Sequence, residues 1–418
     1  MTPRQFLQRF NPDDRLATGR YFPSGGLALG GDDHVGVVLL GLGGPNDRSE
    51  LEAFLYSRWM DPVLDSRGPV LGRHRLANVA ARAAARFVWQ DYEEIGGECP
   101  ANRLVREQAS ALQEELNERL GPYTGARFST YISMRHGSPS SEDALAEMRA
   151  RNVNRIVLVP LYPQYSMSTT GTSLAYWSTL MSLQTEGTAP ASAVLEYSAH
   201  PKYLQAVSER MDQALQRFPK RVRRNVEIVF CAEHASTHGP LHDHDSLCEL
   251  AHTTVSRLGT MRNDSRPYNV ACFCPGVRQG RRDQRDMRRV VQRLVTEGAE
   301  AVMVVPLGVA TDDVWTAYTL DILLRQTAGE LGIGSYEVAS GLNCHPLFIA
   351  SLAEMVGAQF SDATASALSE SAGETDDNTR RHPVRKRDSE RSPGCPTCHG
   401  PVKAHEWSST PRRGKTLG

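Results

Sequence analysis

Eight short apolar runs, separated by stretches in which apolar and charged residues recur at helical spacing, constrain this 418-residue chain more than any other feature. The runs fall near 35 to 41, 127 to 133, 154 to 161, 192 to 197, 225 to 231, 268 to 273, 301 to 307 and 335 to 339. Ile156-Val157-Leu158-Val159-Pro160-Leu161 is typical: it has no polar alternation, so neither face of its strand is suited to water. Such a strand belongs inside a parallel sheet covered by helices on both sides. Alternation of strands with amphipathic stretches predicts β-α-β units rather than a sandwich. The first four runs and the last four form two comparable halves, so the expected architecture is α/β with two doubly wound modules facing one another.

Bulk properties narrow the function. Lys plus Arg number 47 against 48 for Asp plus Glu, so no global field attracts nucleic acid. The eight cysteines show no disulfide-framework spacing, and nowhere do eighteen apolar residues run together. Met1 to Gly31 lacks a long apolar stretch, and a reduced, cytoplasmic compartment is the expectation. Two segments fall outside the strand pattern: residues 1–33, Gly- and Asp-rich after a short helical stretch, and residues 361–418, whose composition reads as a disordered tail. The tail contains Cys395-Pro396-Thr397-Cys398-His399. A C-x-x-C-H run can attach haem covalently, but that requires export, so Cys395, Cys398 and His399 read as a small zinc knuckle or as a silent stretch.

The most distinctive local sequence is Tyr162-Pro163-Gln164-Tyr165-Ser166-Met167-Ser168-Thr169-Thr170-Gly171-Thr172-Ser173, directly after the third apolar run. In open α/β sheets ligands bind beyond the carboxyl ends of the strands, and this cluster of hydroxyls lies there. A helix-capping loop would use the same residue types. Gly41-Leu42-Gly43-Gly44-Pro45 ends the first strand in a similar way, with Asn46 where a dinucleotide fingerprint needs its third glycine. No nucleotide is therefore expected; the glycines suit close approach of backbone to a flat ligand.

The hydroxyl-rich sequence closely resembles a signature of the ferrochelatase family, and other segments resemble that family in the same order. They are Gly41 to Pro45 with Phe54-Leu55-Tyr56 and Asp61-Pro62; Tyr92-Glu93-Glu94-Ile95-Gly96-Gly97-Glu98-Cys99-Pro100; Ser133-Met134-Arg135-His136-Gly137-Ser138-Pro139; Val304-Val305-Pro306-Leu307-Gly308 running to Leu320-Asp321; and Asn343-Cys344-His345-Pro346-Leu347-Phe348. The resemblance spans about residues 34 to 358. It implies two Rossmann-like or flavodoxin-like chelatase domains with a tetrapyrrole held in the cleft between them: an N-terminal extension at 1–33, a first domain at 34–200, a second at 201–343, and a helix at 344–360 that packs back on the core. The implied activity is insertion of Fe²⁺, as substrate, into protoporphyrin or coproporphyrin in haem biosynthesis.

Such chemistry requires an apolar slot for the ring, a base for the two pyrrole protons and a polar route for the ion. The resemblance assigns the porphyrin to Leu42, Gly43, Gly44, Pro45, Tyr165, Ser166, Thr169, Thr170 and Gly171, with Arg135 as a fork for a propionate. A plain ion pair is the other reading of Arg135. The family reads Phe-Ser-Ala-His where this chain has Phe230-Cys231-Ala232-Glu233-His234, so proton removal falls to His234 or Glu233. A one-residue slip in a strand reverses the face, and a bulge at 232–234 would restore His234 to the cleft. The family's Asp-His-x-Glu-Thr-x-x-Glu-x-Asp becomes Asp312-Asp313-Val314-Trp315-Thr316-Ala317-Tyr318-Thr319-Leu320-Asp321. Asp312, Asp313 and Asp321, with His234, are the candidate metal ligands, and Trp315 replaces the principal carboxylate with a stacking surface.

Two further readings remain open: a homologue that binds porphyrin or haem without metallating it, and a chelatase for another metal, to which the bunched His234, His238, His242 and His244 point. Some relatives carry an iron–sulfur cluster, which usually takes four Cys ligands; the tail has two, which argues against one here. Peripheral membrane contact fits a hydrophobic substrate, although Leu71 to Val88 is rich in Arg and Ala.

Overall fold

The computed structural model describes residues 1–11, 13–17, 22, 26–64, 70–184, 189–233, 244–263, 268–273, 277–278, 281–282 and 285–360. The eight apolar runs all form strands. In the first half these are β1 (His34–Gly41), β2 (Arg127–Met134), β3 (Arg155–Pro160) and β4 (Ala191–Ala193). In the second half they are β5 (Glu227–Glu233), β6 (Tyr268–Phe273), β9 (Ala301–Pro306) and β10 (Ser335–Val338), with β7 (Val277–Arg278) and β8 (Arg281–Arg282) forming a separate antiparallel pair.

Each half is a four-stranded parallel sheet. The first has the order β2-β1-β3-β4 and the second, read from its opposite edge, β6-β5-β9-β10. These are the same winding: the first strand of each half is central, its successor lies on one side, and the third and fourth lie on the other. Each sheet thus has a topological switch point, between β1 and β3 in one half and between β5 and β9 in the other, where loops diverge and leave room for a ligand. β1 is buried along its whole length, as its unbroken Val-Gly-Val-Val-Leu-Leu run requires of a central strand.

The halves share one core. A single cluster of buried side chains runs from Val37 and Leu39 on β1 through Val157 and Val159 on β3 to Phe230 on β5 and Met303 and Val305 on β9. The helices Pro100–Arg119, Pro201–Arg217, His244–Arg262 and Pro346–Gly357 join it. Phe348, Leu352 and Val356 of the last helix are buried in that cluster. Beyond the helix the Leu27 amide donates to the Gln359 carbonyl at 3.0 Å and Ser192 Oγ donates to Gln359 Oε1 at 2.6 Å, tying the end of the described chain to the first half.

The segment before β1 differs from its sequence reading. Residues 1–33 lie outside the strand pattern, yet Pro3–Arg9 and Asp14–Ala17 are helical, and Phe6 and Leu16 are 0% and 1% exposed. Phe6 and Phe10 stand at helical spacing, in keeping with the short helical stretch expected, but only contact with the rest of the chain gives Phe6 and Leu16 a core to enter. The first helix starts at a capping box, with the Gln5 amide donating to Thr2 Oγ1 and the Thr2 amide to the Gln5 side chain.

Candidate active site

The carboxyl edges of β1 and β3 converge on the two sequence motifs. At the end of β1 the Leu42 amide donates to the Tyr162 hydroxyl at 2.9 Å, bridging the switch point. Gly43 has φ +77°, and an added Cβ would lie 2.9 Å from Met134 Cβ and 3.1 Å from the Gly137 backbone, so only glycine fits there. Gly44 and Pro45 are buried, and a Cβ on Gly44 would stand 2.6 Å from Cys99 Sγ. Burial, with Asp313 second, pushes the Cys99 thiol up to about 12, which makes it packing rather than a nucleophile.

Beyond β3 the chain enters a π-helical turn at Met167–Gly171, and beyond β9, at the equivalent position of the second half, a second one at Trp315–Leu323. π-turns are rare and concentrate at functional sites. Their hydroxyls are poorly paired. Thr169 Oγ1, Thr170 Oγ1 and Thr319 Oγ1 are buried without a hydrogen-bond partner among the described residues. An unpaired buried hydroxyl costs about 1–3 kcal/mol, so three on two equivalent turns call for an explanation beyond folding. Ser166 and Ser168 are satisfied locally, their hydroxyls 2.7 Å apart and the Ser168 amide donating to Ser166 Oγ.

Arg135 is buried rather than presented to a groove. Its Nη2 lies 2.7 Å from Asp61 Oδ2, its Nε donates to Thr172 Oγ1 at 3.1 Å, and Thr172 Oγ1 donates to the same Asp61 oxygen at 2.5 Å. The side chains of Arg135 and Asp61 are 3% and 0% exposed. Asp61, Thr172 and Tyr176 escaped the sequence reading of the site. Asp61-Pro62 was visible only as a word in the resemblance, and nothing in the chain's order says that it lies under Arg135. His136 completes the cluster, with Nδ1 3.0 Å from Ser57 Oγ and Nε2 3.7 Å from Asp61. Complete burial, then the positive charges of Arg135 and Arg58, hold its pKa well below the usual imidazole range. The imidazole is neutral, and its contact with Asp61 is not an ion pair.

The remaining candidates are dispersed. Asp312 clamps a turn: its carboxylate accepts from the Gly341 amide at 2.9 Å and from Asn343 Nδ2 at 2.8 Å. Asp313 caps the second π-turn, accepting from the Trp315 and Thr316 amides. Asp321 is half-buried and paired with Arg325 at 2.6 Å. Trp315 is 2% exposed and packs with Val229, Cys231, Val304 and Leu320, so it is core and offers no open stacking face. Among the described residues no three His, Cys, Asp or Glu side chains come together as a metal cluster. β5 keeps regular register with β6 through Glu233, opposite Phe273, with no bulge up to that point. His234 lies outside the described residues, as do Cys395, Cys398 and His399 of the tail.

Two doubly wound parallel sheets that share one core, with motif-bearing turns beyond the carboxyl ends of β1, β3 and β9, define an α/β protein. The family model described as Ferrochelatase matches residues 34–360, and this chain belongs to the ferrochelatase family. The ferrochelatase of Geotalea daltonii is 32% identical over 320 residues, covering 77% of this chain and 96% of that protein. The ferrochelatase of Synechocystis sp. is 31% identical over 331 residues, covering 77% and 81%. Among solved structures, CbiX, the terminal enzyme for biosynthesis of siroheme in denitrifying bacteria, has a TM-score of 0.39 at 14% identity, covering 78% of this chain and 100% of that one. SirB from Bacillus subtilis with Fe³⁺ has a TM-score of 0.41 at 11% identity, covering 82% and 98%.

Proposed function

We infer that this chain is a metal-inserting lyase that places Fe²⁺ in a porphyrin in haem biosynthesis. Membership of the ferrochelatase family supports the reaction; the hydroxyl-rich π-turn after β3, at the β1–β3 switch point, is the observation that carries the site. Fe²⁺ enters the ring as the two pyrrole N–H protons leave, so the chain must bind a flat apolar disc, accept two protons and admit an ion.

Each demand has its own residues in this reading. Leu42 to Pro45 and Tyr165 to Gly171 form the wall against the ring, with the unpaired hydroxyls of Thr169 and Thr170 available to its polar edge. Arg135 lies beneath that wall, its charge paired with Asp61, and holds the wall in place rather than forking a propionate. His234 and Glu233, at and just beyond the end of β5, take the protons. Asp312 and Asp313, which follow β9, shape the entry for the ion, and Asp321 adds a carboxylate further along that π-turn. Protoporphyrin and coproporphyrin both fit these requirements.

Peripheral attachment to a bilayer belongs to the same reading. Helix Val70–Glu93 exposes Leu76, Val79 and Phe87 at 71%, 69% and 48%. They recur at helical spacing, so they share a face, flanked by Arg75, Arg82 and Arg86. An apolar stripe bordered by arginines suits the surface of an anionic membrane that holds a hydrophobic substrate. No helix among the described residues is long and apolar enough to cross one.

The test is zinc insertion followed by porphyrin fluorescence. Formation of a zinc-porphyrin spectrum, abolished by His234→Ala, is the expected result. Saturable quenching without product would replace the enzyme by a porphyrin-binding homologue.

A further inference from the structure

The N-terminal segment covers the surface on which the ring is expected to lie. Helix Asp14–Ala17 lies against the π-turn Met167–Gly171, and helix Pro3–Arg9 packs on the helices Val70–Glu93 and Thr172–Ser182. Phe6, Leu16, Met167, Ala175 and Tyr176 form one buried cluster, with Tyr165 at its border. The Tyr165 hydroxyl, at the start of the signature sequence, donates to the Leu16 carbonyl. The Phe6 ring centroid is 4.7 Å from the Arg135 guanidinium carbon and 5.0 Å from the Tyr176 ring, which is itself 4.2 Å from that carbon. The family match begins at residue 34, so this cover lies outside the region the family shares.

From this geometry we propose that the helices Pro3–Arg9 and Asp14–Ala17 are a displaceable cap that occupies the porphyrin surface of the π-turn and must lift before the ring can bind. The proposal rests on the functional reading above, which places the macrocycle at that turn. The cap is made of two short helices, held by Phe6 and Leu16 with Met1 and Phe10 packed beside them and by the Tyr176 hydroxyl donating to the Met1 carbonyl at 2.8 Å. Short elements with few buried side chains open locally at less than the cost of global unfolding. A ligand that binds only the uncapped form has its apparent affinity reduced by the fraction of molecules that are open. Cap closure therefore sets how much free porphyrin the protein takes up.

Hydrogen exchange and fluorescence titration on the full chain test this, with protoporphyrin as the probe. In the unsubstituted protein, protoporphyrin should accelerate exchange of the residue 3–17 amides by about tenfold or more, as the cap is displaced. Phe6→Lys puts a second cation beside Arg135 and removes the ring that fills the slot. It should release those amides without ligand and tighten protoporphyrin binding by about tenfold or more. If protoporphyrin binds both proteins equally and leaves the exchange of residues 3–17 unchanged, the cap proposal is overturned while the site assignment stands. If neither protein binds protoporphyrin, although exchange shows the cap released in Phe6→Lys, the site assignment itself is wrong and the cap falls with it.

Discussion

Arg135 Nη2 and Asp61 Oδ2 meet at 2.7 Å with almost no exposure to water, and the same carboxylate oxygen also accepts from Thr172. This pair links the end of β2 to the segment after the helix Leu51–Trp59 and to the start of the helix that follows the π-turn. The wall of the proposed porphyrin site is thus fastened from below by a desolvated charge pair, and it can move only if that pair moves with it.

Breaking the pair from one side should be far more damaging than removing it whole. Asp61→Ala leaves a buried guanidinium uncompensated, at a cost of about 3–5 kcal/mol, whereas Asp61→Leu combined with Arg135→Met should recover at least half of that loss. Urea unfolding midpoints with unchanged slopes will measure both. Equal losses in the single and double variants would show that Arg135 is stabilised by something other than Asp61.

Thr170→Val should separate stability from ligand binding. The Thr170 hydroxyl is buried and unpaired, so replacing it with a methyl of similar shape removes a polar burial penalty and should stabilise the fold by about 1–2 kcal/mol. Porphyrin affinity should fall, because the hydroxyl is available to the ring's polar edge. Thermal unfolding and fluorescence titration of the same preparation give the two readouts, and a destabilised variant would mean that the hydroxyl has a partner in solution.

His136 predicts an acid-sensitive fold. Its pKa is depressed in the folded protein, chiefly by burial, so the unfolded chain binds more protons as pH falls below the ordinary imidazole value of 6.5. The stability it contributes is full above that value and declines as pH drops towards the depressed folded pKa. Unfolding free energy measured from pH 7.5 to 5 should show this slope, and His136→Asn should flatten it.

Helix Val70–Glu93 should bind anionic vesicles through its exposed face. Replacing Leu76, Val79 and Phe87 together with Ser should lower sedimentation with phosphatidylglycerol vesicles by about tenfold or more, given roughly 25 cal/mol per Å² of apolar surface withdrawn from water. The soluble zinc-insertion rate should be unchanged. Undiminished sedimentation of the triple variant would place membrane contact elsewhere.

The fold was legible in the sequence because its signal is local. Fully buried strands need uninterrupted apolar runs, and each of the eight predicted runs lies on an observed strand within a few residues, including the short β4. The motif turns were legible only in part: the glycines were expected to admit a flat ligand, whereas Gly43, at φ +77°, is packed against the Gly137 backbone and Gly44 against Cys99. Neighbours distant along the chain left no such trace. Asp61 and Arg135 are separated by 74 positions, and their pairing follows from how the sheets bring strand ends together, which periodicity cannot report. The same holds for Phe6, whose core partners Tyr176 and Met167 are distant along the chain, and for Trp315, whose burial depends on the elements packed around it.

The sequence by itself determined that the chain forms two sets of buried parallel strands, since strand burial is written residue by residue, while their order within each sheet came from packing. Tertiary structure alone decided that Arg135 is locked to Asp61, that Asp312 and Asp313 are spent on turns, and that Phe6 and Leu16 cover the hydroxyl-rich wall. Those outcomes depend on desolvation and contact between remote segments, energies that exist only once the chain has closed on itself.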